Sequence, residues 1–267
     1  MKAEEETQNR FKKLLSILKE MQSVVLAFSG GVDSTFLLKA LKDSGIKSLA
    51  VTGYSETMPE SESRFAVEMA KCIGAAHRVI RTDEMLNPDF IKNPPDRCFY
   101  CKNELFSKLT AIASAEGFRY VADGSNTDDL SDSRPGRKAA FKHGVRSPLI
   151  EAGFSKKSIR ALSKQFDLPT WSKPASPCLS SRFPYGTVIS SDGLKRVERS
   201  EEFLKNLGFT ELRVRNYNDM AKVEIKNEDI NRFLDEKLRV IIMDTLKRFG
   251  FKHVALDIEG FKSGKLN

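Results

Sequence analysis

A glycine-rich string near the N-terminus holds the side chains best placed to do chemistry: Ser29, Gly30, Gly31, Val32, Asp33 and Ser34. It follows the apolar run 24–28 and precedes a segment with helical periodicity. Glycine lets backbone N–H groups approach phosphate oxygens, and a helix N-terminus favours anions. Because a carboxylate beside phosphates needs a cation between them, we expect Asp33 to act through Mg²⁺. The string predicts a nucleotide phosphate site; the alternative is an ordinary strand–turn–helix connection.

Three of the four cysteines also lie in informative positions. Cys98 and Cys101 form a Cys-x-x-Cys pair at the start of a predicted helix, and Cys178 lies among prolines and serines in a predicted loop. Three thiolates can hold a [4Fe–4S] cluster and leave one iron open for a ligand such as sulfide. A zinc site, redox chemistry and unliganded thiols are the alternatives.

A predicted hairpin in the C-terminal part carries two arginines. Arg213 and Arg215 share one face of its first strand, an arrangement that can clamp an anion. The alternative is a solvated sheet face with cross-strand charge pairs. Glu201, Glu202 and Glu224 are candidates to join this site, and their spacing does not decide among them.

Composition limits the class of protein. The chain has 267 residues, 44 of them basic and 36 acidic, for a net charge of +8. A basic surface favours anionic partners such as nucleotides, phosphorylated small molecules or RNA. We find no apolar run approaching the roughly 20 residues that cross a bilayer and no apolar secretion signal, so we expect a cytoplasmic protein without a disulfide framework.

Strand and helix patterns alternate through about the first 122 residues, and we expect residues 1–187 to form one nucleotide-binding domain. We predict strands at 24–28, 48–52, 77–80 and 119–122. This alternation is typical of an α/β fold with a doubly wound, mostly parallel sheet, whose ligands lie beyond the carboxyl ends of the strands. We expect residues 188–267 to form a small α+β domain that binds substrate or mediates oligomerisation.

Three local predictions accompany this scheme. Thr57 and Glu60 should form a capping box at the start of a helix. The polar segment 125–153 should be a mobile loop over the active site. Asn227 should cap a single helix that runs to about Phe249.

The string 29–34 resembles the signature of the PP-loop ATP pyrophosphatases, whose fold is adenine nucleotide alpha hydrolase-like. The resemblance implies cleavage of ATP between the α- and β-phosphates. In that superfamily the end of the second strand contacts adenine, which here assigns Ser55. A second ATP-proximal segment matches residues 123–129 and assigns Gly124 and Asn126.

A more specific resemblance covers nearly the whole chain. Residues 93–102, which include Cys98, Cys101 and Lys102, and residues 177–186, which include Cys178, resemble the LarE family. The family comprises ATP-dependent sulfur transferases of nickel-pincer nucleotide synthesis. The resemblance implies that one carboxylate of a pyridinium dicarboxylate mononucleotide is adenylated and becomes a thiocarboxylate. It assigns catalysis to Cys178, beside Asp33 of the phosphate loop. Lys102 follows the second cysteine, and we expect it to reach the ATP phosphates or the adenylate; the alternative is a surface lysine on a helix. The resemblance assigns the substrate phosphate to Ser181, Arg182, Arg213 and Arg215.

The three cysteines resemble the family members thought to hold a [4Fe–4S] cluster, with Cys98, Cys101 and Cys178 as ligands. Members with one cysteine instead give up its sulfur, so the sulfur donor stays open between Cys178 and a cluster-bound sulfide. We expect a homo-oligomer with a small nucleotide substrate, no membrane or nucleic-acid partner, and a nickel-inserting enzyme as a further partner. The main alternative is a tRNA-thiolating PP-loop enzyme. An amide-forming synthetase would give no reason for three cysteines, and a regulator without chemistry would not need Asp33.

Overall fold

The structure is a computed structural model of the chain and describes residues 2–130 and 135–262. The chain divides into two compact units. The N-terminal unit comprises residues 1–84 and 96–176, and the C-terminal unit comprises residues 85–95 and 177–267. Within the described ranges, no helix combines the length and apolar character needed to span a membrane.

The helices and strands are numbered in chain order. The α-helices are α1 Lys2–Met21, α2 Val32–Ser44, α3 Glu60–Ile73, α4 Pro88–Ile91, α5 Arg97–Ala115, α6 Pro135–Lys142, α7 Pro148–Glu151, α8 Lys156–Gln165, α9 Ser191–Asn206, α10 Ile230–Phe233 and α11 Glu236–Arg248. The strands are β1 Ser23–Ala27, β2 Lys47–Tyr54, β3 His77–Arg81, β4 Tyr120–Ala122, β5 Leu212–Tyr217, β6 Met220–Ile225 and β7 His253–Leu256. Single 3₁₀ turns lie at Glu84–Leu86, Thr127–Leu130, Pro169–Ser172, Leu179–Arg182 and Asn227–Asp229.

The N-terminal unit is built on a parallel sheet with strand order β3-β2-β1-β4. In its centre, Val25 of β1 pairs with Leu49 of β2 on one side and with Val121 of β4 on the other. All five residues of β1 are buried, as expected of a strand covered on both faces. The predicted α/β fold with a parallel sheet is confirmed.

Helices pack on both faces of this sheet because neighbouring strand residues point in opposite directions. Val24 and Leu26 belong to an apolar cluster that includes Phe36 of α2. Val25 belongs to a second cluster, on the other face, that includes Phe106 of α5. Replacing a buried phenylalanine such as Phe36 by alanine would cost roughly 3–5 kcal/mol of stability.

The C-terminal unit contains a mixed sheet of order β5-β6-β7. β5 and β6 form an antiparallel hairpin, and β7 pairs with β6 in parallel. At the hairpin turn Asn218 has a φ of 56°, a left-handed conformation that asparagine tolerates. The small α+β part predicted from the sequence is therefore present.

The capping box predicted from Thr57 and Glu60 is wrong. The residue before α3 is Pro59, and no side chain caps the helix. The Thr57 hydroxyl instead donates to the carboxylate of Glu84 at 3.1 Å. The Thr57 hydroxyl therefore binds the buried carboxylate of Glu84 rather than the start of α3, where its spacing from Glu60 predicted it.

Two further local predictions are wrong, at least in part. The segment 125–153 is not one loop, because α6 and α7 lie within it; its residues 131–134 lie outside the described ranges. The helix predicted from Asn227 to Phe249 is broken into a 3₁₀ turn, α10 and α11, and Asp235 caps α11 by accepting from the Leu238 N–H at 3.1 Å.

Candidate active site

The glycine-rich string 29–34 connects β1 to α2 at the carboxyl edge of the parallel sheet. Gly30 has a φ of 68°, and a Cβ there would lie 2.9 Å from the Cα of Ala66. Only glycine fits this position without a shift of α3. The Ser29 and Ser34 hydroxyl oxygens lie 3.1 Å apart, and Ser34 also donates to the carbonyl of Gly31 at 3.2 Å. These contacts hold the loop in a compact turn.

The first turn of α2 completes this loop. Val32 is buried in the apolar core and anchors the turn. The N-cap residue is Gly31, and among the described residues no side chain forms a capping hydrogen bond at this helix end. The free N–H groups of a first helical turn attract anions.

Residues 123–126 follow β4 and pack directly against the phosphate loop. A Cβ at Gly124 would lie 3.0 Å from the backbone nitrogen of Ser34, so this glycine allows a close backbone approach. Asn126 is buried, and its side-chain oxygen accepts from the N–H of Asp128 at 3.0 Å. Asp123 accepts from the Ser147 hydroxyl at 2.7 Å. The structure therefore brings two of the segments predicted to contact ATP into contact with each other.

Asp33 forms an ion pair with Lys156, the first residue of α8, although 123 positions separate them in the chain. The other carboxylate oxygen, Oδ1, is buried and has no hydrogen-bond partner among the described residues. Burial raises the pKa of Asp33 above its ordinary value of 3.8, and the hydrogen bond and charge of Lys156 oppose this shift. Sequence reasoning missed Lys156.

A signal for Lys156 exists in the sequence. Ser155 caps α8, and two lysines follow in the first turn, which contains no acidic residue. Cations at a helix N-terminus are opposed by the helix dipole. A lysine in this position therefore indicates an anion nearby in space.

Ser55 lies just beyond β2 and is held by a buried carboxylate that sequence reasoning also missed. The Ser55 hydroxyl donates to Oε1 of Glu84 at 2.6 Å. The same oxygen accepts from Thr57 and, at 3.8 Å, from the thiol of Cys101. Oε2 of Glu84 is buried with no hydrogen-bond partner among the described residues. Glu84 thus forms hydrogen bonds with both Ser55, a candidate adenine contact, and Cys101, a candidate cluster ligand. No local spacing pattern in the sequence indicates this role for Glu84.

Cys98 and Cys101 lie in the first turns of α5. They are three residues apart and so lie on neighbouring positions of one helix surface. Cys98 is exposed and Cys101 is partly buried. The stem of Lys102 packs near Gly136, where a Cβ would lie 3.2 Å from its Cγ, and its ammonium lies 5.5 Å from the ring centre of Phe106.

Cys178 belongs to the C-terminal unit and immediately precedes a 3₁₀ turn. Its carbonyl accepts from the Ser181 N–H at 3.0 Å, from the Ser181 hydroxyl at 2.8 Å and from Arg182 at 3.0 Å. The backbone of Cys178 is thus held firmly while its side chain stays partly exposed. Among the described residues, no three cysteine, histidine or acidic side chains form a group that could hold a metal ion.

Buried ion pairs support the arginines of the C-terminal unit. Arg182 pairs with Glu201, and Arg215 pairs with Glu224, each through two hydrogen bonds of 2.8–3.0 Å. Arg215 also donates to the carbonyl of Ser181 at 2.8 Å. Both arginines are therefore turned toward protein acceptors.

Arg213 differs from these two arginines. It donates to the carbonyl of Leu212 at 2.8 Å, and its guanidinium stacks on the ring of Phe261. Burial, followed by the positive charge of Arg182, lowers the pKa of Arg213 from the ordinary arginine value to about 10. A desolvated cation with positive neighbours is a favourable place for an added anion. Glu202, in contrast to Glu201, is exposed.

The parallel sheet, with the string 29–34 after β1, defines a PP-loop α/β protein. No protein-family model matches the chain. It is 42% identical to an uncharacterised protein of Synechocystis sp. over 261 residues, which cover 97% of both chains. It is 40% identical over 256 residues to the pyridinium-3,5-bisthiocarboxylic acid mononucleotide synthase of Lactiplantibacillus plantarum, covering 95% of this chain and 92% of that protein. The chain belongs to the LarE family of sulfur transferases.

Proposed function

We propose that this protein adenylates a carboxylate of a pyridinium dicarboxylate mononucleotide and converts it to a thiocarboxylate for nickel-pincer nucleotide synthesis. The observation that carries the proposal is the similarity, over nearly the full length of both chains, to a synthase named for such a bisthiocarboxylic acid mononucleotide. The packing of Gly124 against the phosphate loop supports a nucleotide site at this edge of the sheet.

In the first step a substrate carboxylate oxygen forms a bond to the α-phosphorus of ATP. The bond from that phosphorus to the bridging oxygen breaks, and pyrophosphate leaves with the electron pair. We assign the loop N–H groups and the hydroxyls of Ser29 and Ser34, which lie 3.1 Å apart, to binding of the leaving diphosphate. We assign Lys102 to the phosphates or the adenylate, and Ser55, Gly124 and Asn126 to the walls of the nucleotide site.

Asp33 fits the role of an Mg²⁺ ligand, because its Oδ1 is a buried oxygen without a partner among the described residues. When bound, Mg²⁺ would neutralise the negative charge that develops on the leaving diphosphate. The protein's own contribution is to hold Asp33 in the first turn of α2 and close to the loop.

In the second step sulfur attacks the acyl carbon of the adenylate, and AMP leaves. We assign Cys178 to this step, as the sulfur donor itself or as a ligand of the donor. If Cys178 is the donor, its sulfur forms a thioester with the substrate. A base then removes the Cα proton of Cys178 as the Cβ–S bond breaks, so that the thiocarboxylate leaves with the electron pair and dehydroalanine remains.

We propose Cys98, Cys101 and Cys178 as ligands of a [4Fe–4S] cluster, which when bound would supply an exchangeable sulfide. Three thiols are suitable donors for such a cluster. Because the described residues present no assembled group of three ligands, we assign no catalytic step to the cluster.

The phosphate of the mononucleotide substrate has a candidate site in the C-terminal unit. We propose Arg213 as its main contact, together with the Ser181 hydroxyl. Arg182 and Arg215 then act chiefly by holding the backbone at Cys178 and Ser181, to which they donate. We further propose that the protein is a cytoplasmic homo-oligomer and that it passes its product to a nickel-inserting enzyme.

The test is anaerobic purification with iron and sulfide counted per chain, for wild type and for Cys98→Ala, Cys101→Ala and Cys178→Ala, with substrate-dependent release of pyrophosphate measured in parallel. About four iron atoms per chain, lost in each variant, support the cluster. No iron, with Cys178 lighter by the mass of H₂S after turnover, makes Cys178 the donor. Failure of the mononucleotide to stimulate pyrophosphate release overturns the proposed function.

A further inference from the structure

The short segment 85–95 interrupts the N-terminal unit and belongs to the C-terminal unit. Cys98 and Cys101 follow soon after the chain returns, and Cys178 lies next to the point where the chain enters the C-terminal unit again. Within the described ranges the segment adds no strand to either sheet. Strand pairing therefore does not explain why the chain makes this excursion.

Asn93 attaches the segment to the loop 178–186, which begins with the candidate sulfur donor. Its side-chain Nδ2 donates to the carbonyl of Phe183 at 3.2 Å and to the carbonyl of Pro184 at 2.8 Å. The carbonyl of Asn93 accepts from the N–H of Gly186 at 2.9 Å. Because Asn93 is fully buried, water does not compete for these three hydrogen bonds. The excursion thus ends in a fixed attachment to this loop.

Two independent conditions at position 93 are met together by asparagine. Its φ of 54° lies in the left-handed region, which glycine, asparagine and aspartate tolerate best. The two carbonyl acceptors require a side chain with two N–H donors, which glycine and aspartate lack. Asn93 therefore serves the turn of its own segment and the loop at the same time.

The opposite end of the loop 178–186 is held by Arg182, whose Nη1 donates to the carbonyl of Cys178 at 3.0 Å. The ring of Phe183 lies between the two attachments and packs on α9, where a Cβ at Gly193 would lie 3.0 Å from its Cε1. A loop held at both ends keeps its backbone in one arrangement, whereas a loop held at one end samples many. Asn93 thus helps to fix the backbone on which Cys178 is carried.

We propose that Asn93 is a positioning residue of the sulfur-transfer step. It fixes the far end of the loop 178–186, so that sulfur at Cys178 meets the acyl carbon of the adenylate. There the C–S bond forms, the C–O bond to AMP breaks, and AMP leaves with the electron pair. Adenylation depends instead on the phosphate loop of the N-terminal unit, so Asn93 acts on the second step and not on the first. The inference rests on the proposed function and adds to it a residue that aligns the sulfur.

The test follows single turnovers of wild type, Asn93→Gly and Asn87→Gly, with pyrophosphate and thiocarboxylate measured in the same sample. Glycine keeps the left-handed backbone at position 93 and removes only the side-chain amide. Asn87 is the matched control, because it lies in the same segment and its side chain accepts from the N–H of Asp89 at the start of α4. We expect Asn93→Gly to form thiocarboxylate roughly 10- to 100-fold more slowly, with pyrophosphate release within about twofold of wild type, because a small misplacement of reacting groups slows only the step that joins them. Asn87→Gly should match wild type in both steps.

Hydrogen exchange separates positioning from folding. In wild type the Gly186 N–H should exchange slowly, because it donates to the buried carbonyl of Asn93. Asn93→Gly should speed exchange in the loop 178–186 and leave β5 at its wild-type rate. A second variant, Gly186→Ala, strains a φ of 80° and leaves the amide of Asn93 in place. It should also slow thiocarboxylate formation more than pyrophosphate release.

A wild-type rate of thiocarboxylate formation in folded Asn93→Gly would overturn the role of Asn93. An equal loss of both steps, or fast exchange of the Gly186 N–H in wild type, would do the same. If Asn93→Gly does not fold, the two rates of Gly186→Ala decide by the same criteria. Wild-type protein that releases no pyrophosphate with the mononucleotide would contradict the proposed function itself, a result that none of these other outcomes produces.

Discussion

Glu201 receives the guanidinium of Arg182 in a fully buried, two-pronged ion pair. Nε of Arg182 donates to Oε1 at 2.9 Å and Nη2 donates to Oε2 at 2.8 Å, and the two side chains are only 3% and 4% exposed. The remaining nitrogen, Nη1, donates to the carbonyls of Pro177 and Cys178. Glu201 thus orients an arginine that holds the backbone of the candidate catalytic cysteine.

Glu201→Ala should destabilise the protein by roughly 3–5 kcal/mol, because it leaves the Arg182 cation buried without its partner. It also removes the acceptor of the Val214 N–H, at 3.1 Å. The neighbouring Glu202 is exposed, and Glu202→Ala should stay within about 0.5 kcal/mol of wild type. Urea unfolding of the three proteins measures the difference. Similar losses in both variants would show that the buried pair adds no stability beyond that of a surface charge.

The buried ion pairs of the C-terminal unit show which contacts the sequence does not predict. Strand alternation correctly indicates that Arg213 and Arg215 lie on one face of β5, but alternation does not say which neighbours cover that face. In the structure Arg215 is turned to Glu224, and Glu201 rather than Glu202 points inward. Cross-strand contact within the hairpin decides the first outcome, and packing of α9 against β5 decides the second.

The fold is easier to predict from the sequence than these side-chain contacts, because apolar runs and glycine turns are local signals. The parallel sheet and the phosphate loop after β1 follow from them. Lys156 and Glu84 were missed because each acts through a contact between distant parts of the chain. The capping box predicted at Thr57 is wrong for the same reason, because the Thr57 hydroxyl binds Glu84, 27 residues away, rather than the nearby helix end.

Inorganic phosphate should stabilise the free protein through Arg213. Its pKa is lowered from the ordinary arginine value to about 10 by burial and then by Arg182, so between these two pKa values the unfolded chain holds a proton that the folded protein has lost. The contribution of Arg213 to the free energy of unfolding therefore increases as pH rises between these two pKa values. Below both of them the buried positive charge of Arg213 destabilises the folded protein. A bound anion offsets that cost. Phosphate should raise the Tm of Arg213→Met less than it raises the Tm of wild type and of Arg199→Met, an exposed control.

The pH dependence of phosphate binding provides a second readout for Arg213. Because the cation is lost as pH rises through about 10, wild-type affinity for phosphate should fall there. An arginine with its ordinary pKa would keep its charge. Undiminished affinity above that pH would show that Arg213 keeps its charge or that another group binds the phosphate.

Loss of the Glu84 carboxylate should make the thiol of Cys101 react faster with an alkylating reagent. Glu84→Ala removes the acceptor of the Cys101 thiol and of the Ser55 and Thr57 hydroxyls. We expect alkylation of Cys101 by iodoacetamide to become several-fold faster, while the exposed Cys98 on the same helix reacts at its wild-type rate. Glu84→Gln keeps an acceptor oxygen and should stay closer to wild type. Peptide mass spectrometry follows each cysteine separately, and equal acceleration at Cys98 would indicate general loosening of α5.

Asp33 should make the stability of the nucleotide-free protein depend on pH. Burial raises its pKa above 3.8, although Lys156 opposes the shift, so the folded protein holds this proton more tightly than the unfolded chain does. Ionising Asp33 therefore costs stability as pH rises from 3.8 through the raised pKa, and the cost is complete above it. Asparagine cannot ionise, so the free energy of unfolding of Asp33→Asn, relative to wild type, should increase from about pH 4 to about pH 8. Denaturant unfolding across this range measures the increase. A difference that stays constant would mean that the pair with Lys156 fully compensates the buried charge, and a difference that decreases would mean that the ionised carboxylate stabilises the fold.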